Sequence, residues 1–328
     1  LEIAADQSKY IYIKLDDEIV EDKPLNVAPT DGWRYLHLWS KTGRWAGVLF
    51  DYVIARPITD PEPQISLGSE ESEATINYFV VNGTKFLYRR KITITEESGS
   101  NLNEHQVCIN LNSSNFDFFH AQPDGRDIRF FDSEKNPLSY WIEEWDATNE
   151  RARIWVRVPS IPANGTTEIY CYYGNSEITD ASDGEAVFEF FDDFEGDTLD
   201  TNKWTIETGD WTIETYDEGK RLKGHDHYYG LRTKSFQATE GIIEVDALCH
   251  SGDDSSHGET DVIWWYEGGG HDEYSLAWVG SPNPQNSRLY DRSGGSWFLR
   301  DEKSNYKPFQ EWYKICLLYT SPSPRDRG

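Results

Sequence analysis

The feature that most constrains this chain is the alternation of apolar and polar residues with a period of two. Examples are residues 91–94, 152–158 and 241–246. Gly, Asn, Asp or Pro bounds almost every such run, which is typical of strands separated by turns. No stretch of a dozen residues has a convincing helical period of 3.6. The sequence therefore predicts an all-β fold built of β-sandwich or jelly-roll modules.

Composition narrows the partners of the chain. Aromatic residues make up 14% of it, with 13 Trp and 19 Tyr, which suits β-sheets. Most of these rings are expected to be core residues, although exposed Trp and Tyr also suit sugar binding. The formal net charge of −27 argues against nucleic acid, because phosphate binding needs clustered Lys and Arg. Two explanations of the negative charge remain. One is an acidic surface suited to high salt, which is favoured, and the other is a set of carboxylate sites for calcium.

Two linkers divide the chain into segments. Residues 57–63 are rich in proline and residues 68–73 are acidic and serine-containing, which indicates a short linker. A tighter boundary is expected near residues 180–184. The predicted domains are 1–68, 69–186 and 187–316. Residues 317–328 break with the rest in charge and pattern, look like adapter-derived read-through of a truncated metagenomic gene, and are expected to be unstructured.

The middle segment carries the most specific motifs. They are Tyr-Arg-Arg-Lys-Ile-Thr-Ile at 88–94, Gln-Pro-Asp-Gly-Arg-Asp-Ile-Arg-Phe at 122–130, Tyr-Trp-Ile-Glu-Glu-Trp at 140–145, Trp-Val-Arg-Val-Pro-Ser-Ile-Pro at 155–162 and Ile-Tyr-Cys-Tyr-Tyr-Gly-Asn at 169–175. Across about 75–187 the chain resembles the family catalogued as domain of unknown function 2341 (DUF2341). The resemblance implies a secreted or cell-surface β-sandwich module, often beside concanavalin A-like domains, and implies little about activity.

The flanking segments supply such a neighbour. Residues 190–204 look like the opening of a concanavalin A-like, laminin G-like jelly roll, and segment 1–68 is similar to the closing part of the same fold. Each part alone would leave an unpaired sheet edge and an uncovered apolar face. We therefore predict that 1–68 and 187–316 pair as one circularly permuted sandwich, with contacts between residues 10–15 and 312–315. Such a permuted pairing is expected if the sequence is a fragment of a longer protein with repeated domains, which begins inside one sandwich and ends inside the next.

The strand at residues 241–246 carries the run of acids closest to a glucanase catalytic strand. Concanavalin-like glucanases carry three alternating acids on one strand face, where they act as nucleophile and general acid. Here Glu244 and Asp246 alternate, but the third acid is missing. We assign both to the solvent side of a half-buried strand whose inner face is Ile243, Val245 and Ala247. The sequence thus predicts no enzyme.

One acidic loop could bind a metal ion. Calcium takes carboxylate and carbonyl oxygens from loops, and laminin G-like folds often carry a structural calcium, so the resemblance makes this loop a candidate. The alternative is that its acids form turns and solvated surface. The candidate ligands are Asp192, Asp193, Glu195 and Asp197.

The cysteines suggest no further cofactor. The chain has four of them, with no CxxC pair and no zinc-ligand spacing. Cys108 and Cys171 lie in predicted strands and suit small core positions. A disulfide between them is left open.

Three aromatic residues are candidates for carbohydrate binding. Trp264 and Tyr266 are two apart, so alternation along a strand points them to the same face. Trp297 follows a Ser-Gly-Gly turn at 293–295, a position suited to stacking on a sugar ring. The alternative for each is packing within a sandwich.

The sequence as a whole predicts a non-catalytic extracellular or cell-surface binding module. The expected partners are glycans or surface and matrix polymers, and the expected roles are carbohydrate recognition or adhesion. One alternative is a targeting appendage of a larger glycoside hydrolase, and another is a structural spacer of a surface-layer protein. No membrane-spanning segment is present in the sequence.

Overall fold

The computed structural model describes most of the chain in short gapped ranges. These are residues 9–15, 18–25, 36–42, 47–72, 78–216, 219–236, 241–250, 258–263, 274–280, 286–293, 296–303 and 312–320. Within them the protein is almost entirely antiparallel β-structure, which confirms the predicted all-β fold.

The strands follow the chain from end to end. The first four are β1 Lys9–Leu15, β2 Glu18–Leu25, β3 His37–Thr42 and β4 Gly47–Arg56. The next ten are β5 Gln64–Ser72, β6 Phe79–Val81, β7 Thr84–Phe86, β8 Tyr88–Thr95, β9 Leu102–Asn112, β10 Arg129–Asp132, β11 Pro137–Leu138, β12 Tyr140–Asp146, β13 Arg151–Ile161 and β14 Thr166–Tyr173. The last nine are β15 Phe190–Asp192, β16 Trp204–Tyr216, β17 Gly219–Thr233, β18 Gly241–His250, β19 Gly258–Ile263, β20 Tyr274–Gly280, β21 Asn286–Ser293, β22 Ser296–Lys303 and β23 Trp312–Thr320.

Within the described ranges, helical structure is limited to two short segments. A single 3₁₀ turn covers Phe118–His120, and the helix α1 covers Gly184–Val187. Among the residues that the structure describes, no helix has both the length and the apolar character needed to cross a membrane.

The chain forms two compact units. The first combines residues 1–58 with 189–328, and the second, here called the middle unit, is residues 59–188. The boundary expected at 68/69 falls inside β5, which belongs to the middle unit because it pairs with β8 at the edge of that unit's larger sheet.

In the first unit, strands from both parts of the sequence alternate in one antiparallel sheet. Its thirteen strands run β2-β1-β23-β18-β4-β17-β3-β19-β20-β21-β22, with β15 also paired to β4 and β16 to β17. The first and last strands do pair, but the predicted contact of residues 10–15 with 312–315 is met only where Leu15 lies opposite Ile315. The rest of the ladder pairs Tyr10–Lys14 with Cys316–Thr320. The expectation that residues 317–320 are unstructured was therefore wrong, because they complete β23 between β1 and β18. The strand β4 lies between β17 and β18, so neither part of the sequence forms this sheet alone.

The strand β18 corrects one sequence interpretation. Val245 lies opposite Val53 and is fully buried, as expected for an inner face. Glu244 on the other face is also buried, at 3% exposure, opposite the buried Ile54. The assignment of Glu244 to a solvent face was therefore wrong, because both faces of this internal strand are covered. Its carboxylate is accommodated by Arg56, whose Nε lies 3.1 Å from Oε1.

The middle unit is a sandwich of two sheets. One has the order β11-β10-β14-β8-β5 and the other β12-β13-β9. Their facing side chains form a single apolar core, to which Ile92, Val107, Phe130, Ile154 and Ile169 belong. The alternation seen in the sequence thus positions one face of each strand in this core.

A hairpin formed by β6 and β7 covers the outer face of the larger sheet. Its turn is the dipeptide Asn82-Gly83, and both residues have positive φ, as a two-residue hairpin turn of this type requires. Phe86 packs edge-on against Phe131 at 6.4 Å and lies 5.6 Å from Tyr172. A second small core therefore lies outside the main one.

The cysteines of the middle unit are both free thiols. Cys108 lies on β9 between the core residues Val107 and Ile109, so it points away from the core. Cys171 is buried in β14 of the other sheet. Cys171 faces the core between the two sheets, whereas Cys108 lies on the far side of the sheet that contains β9. The disulfide left open by the sequence is therefore not formed.

Candidate functional site

An open surface depression of about 440 Å³ lies on the middle unit. Residues 83–87, from the β6–β7 hairpin to the start of β8, form one wall. Residues 174–177, which follow β14, form the other, and Tyr78 completes the lining. It therefore lies where the hairpin meets the end of a core strand.

A buried carboxylate fixes the wall after β14. Asp127 is fully buried, and its Oδ2 accepts hydrogen bonds from the backbone N–H of Gly174 at 2.8 Å and of Asn175 at 2.9 Å. Its Oδ1 accepts from the N–H of Gln122 at 2.8 Å. The Asn175 side chain then donates to the carbonyl of Lys85 at 2.7 Å. The two walls are thus joined directly, and the depression is built before any ligand arrives.

The lining combines apolar and polar groups. The Nζ of Lys85 lies 4.4 Å from the centroid of the Tyr78 ring, within cation–π range. Leu87 is 45% exposed, and Glu177 adds an exposed carboxylate on the opposite wall. An aromatic ring, an apolar side chain, an amine and a carboxylate in one open depression suit a small polar ligand with an apolar face.

A cluster of Tyr88, His120, Glu70 and Tyr173 lies next to Gly174, one of the residues that line the depression. The rings of Tyr88 and His120 stack with centroids 3.9 Å apart and an interplanar angle of 6°. The Nδ1 of His120 lies 2.9 Å from Glu70 Oε1. The hydroxyl of Tyr173 donates to Glu70 Oε2 at 2.7 Å. We call this group the Tyr88–His120 cluster.

Tyr173 acts in this cluster as a permanent donor. Burial raises the pKa of Tyr173 well above its usual value, and its hydrogen bond to Glu70 raises it further. The hydroxyl consequently keeps its proton and directs it to the Glu70 carboxylate, which leaves that carboxylate able to accept from His120 as well.

The aromatic residues predicted to bind carbohydrate are not tested. Trp264 and Tyr266 lie outside the described residues. The backbone of Trp297 lies in β22, opposite Arg292 of β21, beside the predicted turn. Their proposed stacking on sugars stays a prediction.

The first of the predicted calcium ligands is engaged by the protein itself. Asp192 is 7% exposed, and its Oδ2 accepts from the indole N–H of Trp204 at 2.6 Å. Its Oδ1 accepts from the N–H of Phe194 at 3.0 Å. Burial raises the pKa of Asp192, opposed by the bond from Trp204. This carboxylate therefore anchors the turn after β15.

The other three predicted ligands also have protein partners. Asp193 accepts from the N–H of Glu195 at 3.3 Å, and Glu195 accepts from the N–H of Lys220 at 3.1 Å. Asp197 pairs with the Lys220 amine at 2.7 Å, which lowers the pKa of Asp197. Within the described ranges no group of three or more His, Cys, Asp or Glu side chains is arranged to hold a metal ion. Calcium binding stays a prediction.

Sequence reasoning missed the depression and the Tyr88–His120 cluster. The dipeptide Gly174-Asn175 follows an apolar strand and predicts a turn, so the wall after β14 could have been predicted as a turn. The meeting of that turn with residues 83–87 has no sequence signal, because it depends on how the hairpin packs over Tyr172. The partnership of Glu70 with His120 is equally hidden, since fifty positions separate them.

The protein is therefore an all-β protein whose middle unit is a two-sheet sandwich with an open depression on its surface. Residues 124–207 match the family described as domain of unknown function (DUF2341). The match covers the later part of the stretch in which the sequence resembles that family, and it extends into β16. No curated protein and no solved structure matches the chain.

Proposed function

We propose that this chain is a non-catalytic, extracellular or cell-surface module that binds carbohydrate. The observation that supports the proposal is the depression of the middle unit, whose walls are joined by the bond from Asn175 to Lys85. A pre-formed site loses little conformational entropy on binding, which favours recognition of weakly interacting ligands.

The chemistry of the lining fits a sugar. A pyranose presents a C–H face and a rim of hydroxyl groups. The Tyr78 ring and the exposed Leu87 suit the first, while the Lys85 amine and the Glu177 carboxylate can donate to and accept from the second. Because the depression is open, it suits a unit within a longer glycan as well as a free sugar.

The first unit is proposed to be a concanavalin A-like, laminin G-like sandwich. The alternation of strands from residues 1–58 and 189–328 in one sheet supports a permuted arrangement. A structural calcium near Asp192, Asp193, Glu195 and Asp197 and glycan stacking on Trp264, Tyr266 and Trp297 belong to the same proposal. The proposed partners are glycans or surface and matrix polymers.

A non-catalytic role is supported by the strand that most resembled a catalytic one. Glu244 is buried and ion-paired with Arg56, with the Lys314 amine 4.0 Å from its second oxygen. A carboxylate neutralised in this way serves the sheet. A targeting appendage of a larger glycoside hydrolase would use the same depression, whereas a structural spacer predicts no ligand.

The proposal is tested by binding the full chain to a broad glycan panel, with calcium and then with a chelator. We expect Lys85→Ala to weaken binding about tenfold, as loss of one charged contact typically does. The matched control is Lys91→Ala, a lysine of the same unit that pairs with Glu168 on the sheet surface.

Three outcomes are distinguished. Binding weakened about tenfold in Lys85→Ala and unchanged in Lys91→Ala supports the depression as the site. Binding that disappears with the chelator instead assigns recognition to a calcium-dependent site. Absence of binding in every condition would replace the proposal with the structural spacer.

A further inference from the structure

His120 is held with one ring nitrogen engaged and the other available. Its Nδ1 faces both oxygens of Glu70, at 2.9 and 3.1 Å, and the Oδ2 of Asp117 lies 3.6 Å away. A carboxylate only accepts, so Nδ1 carries the proton in the neutral ring and Nε2 carries a lone pair. This arrangement, with a carboxylate fixing the tautomer, prepares an imidazole to accept a hydrogen bond or bind a ligand.

Among the residues that the structure describes, the second ring nitrogen of His120, Nε2, makes no hydrogen bond, and a third of the side chain is exposed. Stacking on Tyr88 fixes the plane of the ring. The plane of the His120 ring, its tautomer and its position are therefore all fixed. The lone pair of Nε2 is a directed hydrogen-bond acceptor.

The residue before it is an exposed phenylalanine. Phe119 is 90% exposed, in the 3₁₀ turn whose preceding residue, Phe118, is buried. Phe118 packs against Phe116 and Trp145 with centroids 5.0 and 5.2 Å away. The turn is thus anchored in the core, and Asp117 caps it by accepting from the N–H of Phe119 at 3.0 Å.

An exposed aromatic ring on an anchored turn points to a ligand. A phenylalanine buries a large apolar area when the fold can cover it, and here the fold presents it to solvent beside an oriented acceptor. Aromatic side chains contribute much of the binding energy where they are covered by a partner.

The cluster and the depression are contiguous. A Cβ added at Gly174, which lines the depression, would lie 2.8 Å from Tyr88 Cδ2 and 2.9 Å from Leu87 Cβ. Tyr88 in turn stacks on His120. One residue, Gly174, therefore separates the depression from the Tyr88–His120 cluster.

We propose that Phe119 and His120 form a second sugar subsite, in which a pyranose stacks on Phe119 and one of its hydroxyls donates to Nε2 of His120. The inference rests on the proposed carbohydrate-binding function and extends it. The ligand becomes an oligosaccharide with one unit in the depression and a further unit at this subsite.

The first test needs no ligand. In ¹⁵N NMR of the full chain at mildly alkaline pH, we expect His120 to show a protonated Nδ1 and an unprotonated Nε2. In Glu70→Gln the amide no longer fixes the tautomer, so the two forms are expected to mix. A wild-type ring protonated at Nε2 would overturn the proposal, because that nitrogen could then only donate.

The second test compares cellohexaose, xylohexaose, chitohexaose and mannohexaose, each with its monosaccharide, by calorimetry. We expect one hexasaccharide to bind, and Phe119→Ala and His120→Phe each to weaken it about tenfold while the monosaccharide is unaffected. His120→Phe keeps a ring to stack on Tyr88 and removes the acceptor. The matched control is Val80→Ala, an exposed apolar side chain of the same unit.

The two proposals fail differently. If the hexasaccharide binds equally to wild type, Phe119→Ala and His120→Phe but is lost in Lys85→Ala, the subsite is wrong and the proposed function stands. If no probe binds to the wild-type chain, the proposed function fails and the subsite fails with it.

Discussion

Gly174 and Gly83 adopt the same φ of 84° in different surroundings. A Cβ at Gly83 would meet nothing within 4 Å, whereas one at Gly174 would collide with Tyr88 and Leu87. We expect Gly83→Ala to destabilise the protein by about 1–2 kcal/mol, the cost of a left-handed L-residue. Gly174→Ala should cost distinctly more and disturb the stack on His120.

Urea unfolding of both variants checks this prediction, because the pair separates backbone strain from steric collision. Equal losses would mean that Tyr88 moves aside freely. In that case the Tyr88–His120 cluster is not held as rigidly as the stacking suggests.

The buried carboxylate of Glu96 joins two loops of the middle unit. It accepts from the backbone N–H groups of Ser98, Gly99 and Asn164. The hydrogen bond from Ser98, followed by those from Asn164 and Gly99, holds the pKa of Glu96 below its usual value, although burial opposes them. A depressed folded-state pKa gives stability above the unfolded-state pKa that is lost as pH falls through the folded value.

We therefore expect wild-type stability to fall as the pH is lowered below the ordinary range of a glutamate. Glu96→Gln should be less stable at neutral pH and flatter in its acid dependence, as measured by the urea midpoint against pH. The neighbouring exposed Glu97→Gln is the control and should follow the wild type. A parallel fall in Glu96→Gln would place the acid sensitivity elsewhere.

At the scale of elements, a buried ion pair joins strands from the two parts of the sequence. Arg56 of β4 and Glu244 of β18 are 8% and 3% exposed. Removing one partner leaves a buried charge, so Arg56→Met is expected to cost about 3–5 kcal/mol. Adding Glu244→Met should cost less than the sum of the two single changes.

A double-mutant cycle by denaturant unfolding measures this coupling. Additive losses would show that Lys314 alone neutralises Glu244. The Arg56 contact would then contribute only packing.

The strands themselves could be predicted from the sequence, and what covers their outer faces could not. Alternation in β13 and β14 identifies the core face of each strand. It says nothing about Tyr172, which looks solvent-facing by period and is buried under the hairpin. The assignment of Glu244 to a solvent face failed for the same reason, because alternation does not reveal that the outer face of β18 is covered. The depression was missed for this reason too, since its walls are neighbours only after the hairpin packs.

At the scale of the whole molecule, the two units differ in their dependence on distant sequence. The middle unit draws its core from residues 59–188 alone. We expect residues 59–188, expressed separately, to give a cooperative unfolding transition and dispersed NMR signals. Residues 189–328 expressed separately should give neither, because β4, the strand between β17 and β18, would be missing.

Adding a peptide of residues 1–58 to the 189–328 fragment provides the control. Recovery of β-structure would show that the interleaved strands are what the fragment lacked. A separately folded 189–328 fragment would contradict the role assigned to β4.

The position of β4 between β17 and β18 also affects the order in which parts of the chain can fold during synthesis. This strand ends at Arg56, and its partners β17 and β18 begin at Gly219 and Gly241. On the ribosome, residues 59–188 emerge and can fold while the leading strands still wait for their neighbours. Contacts between such distant segments form slowly and expose unpaired strand edges meanwhile. During synthesis, residues 1–58 should therefore depend on chaperones more than the unit of residues 59–188 does.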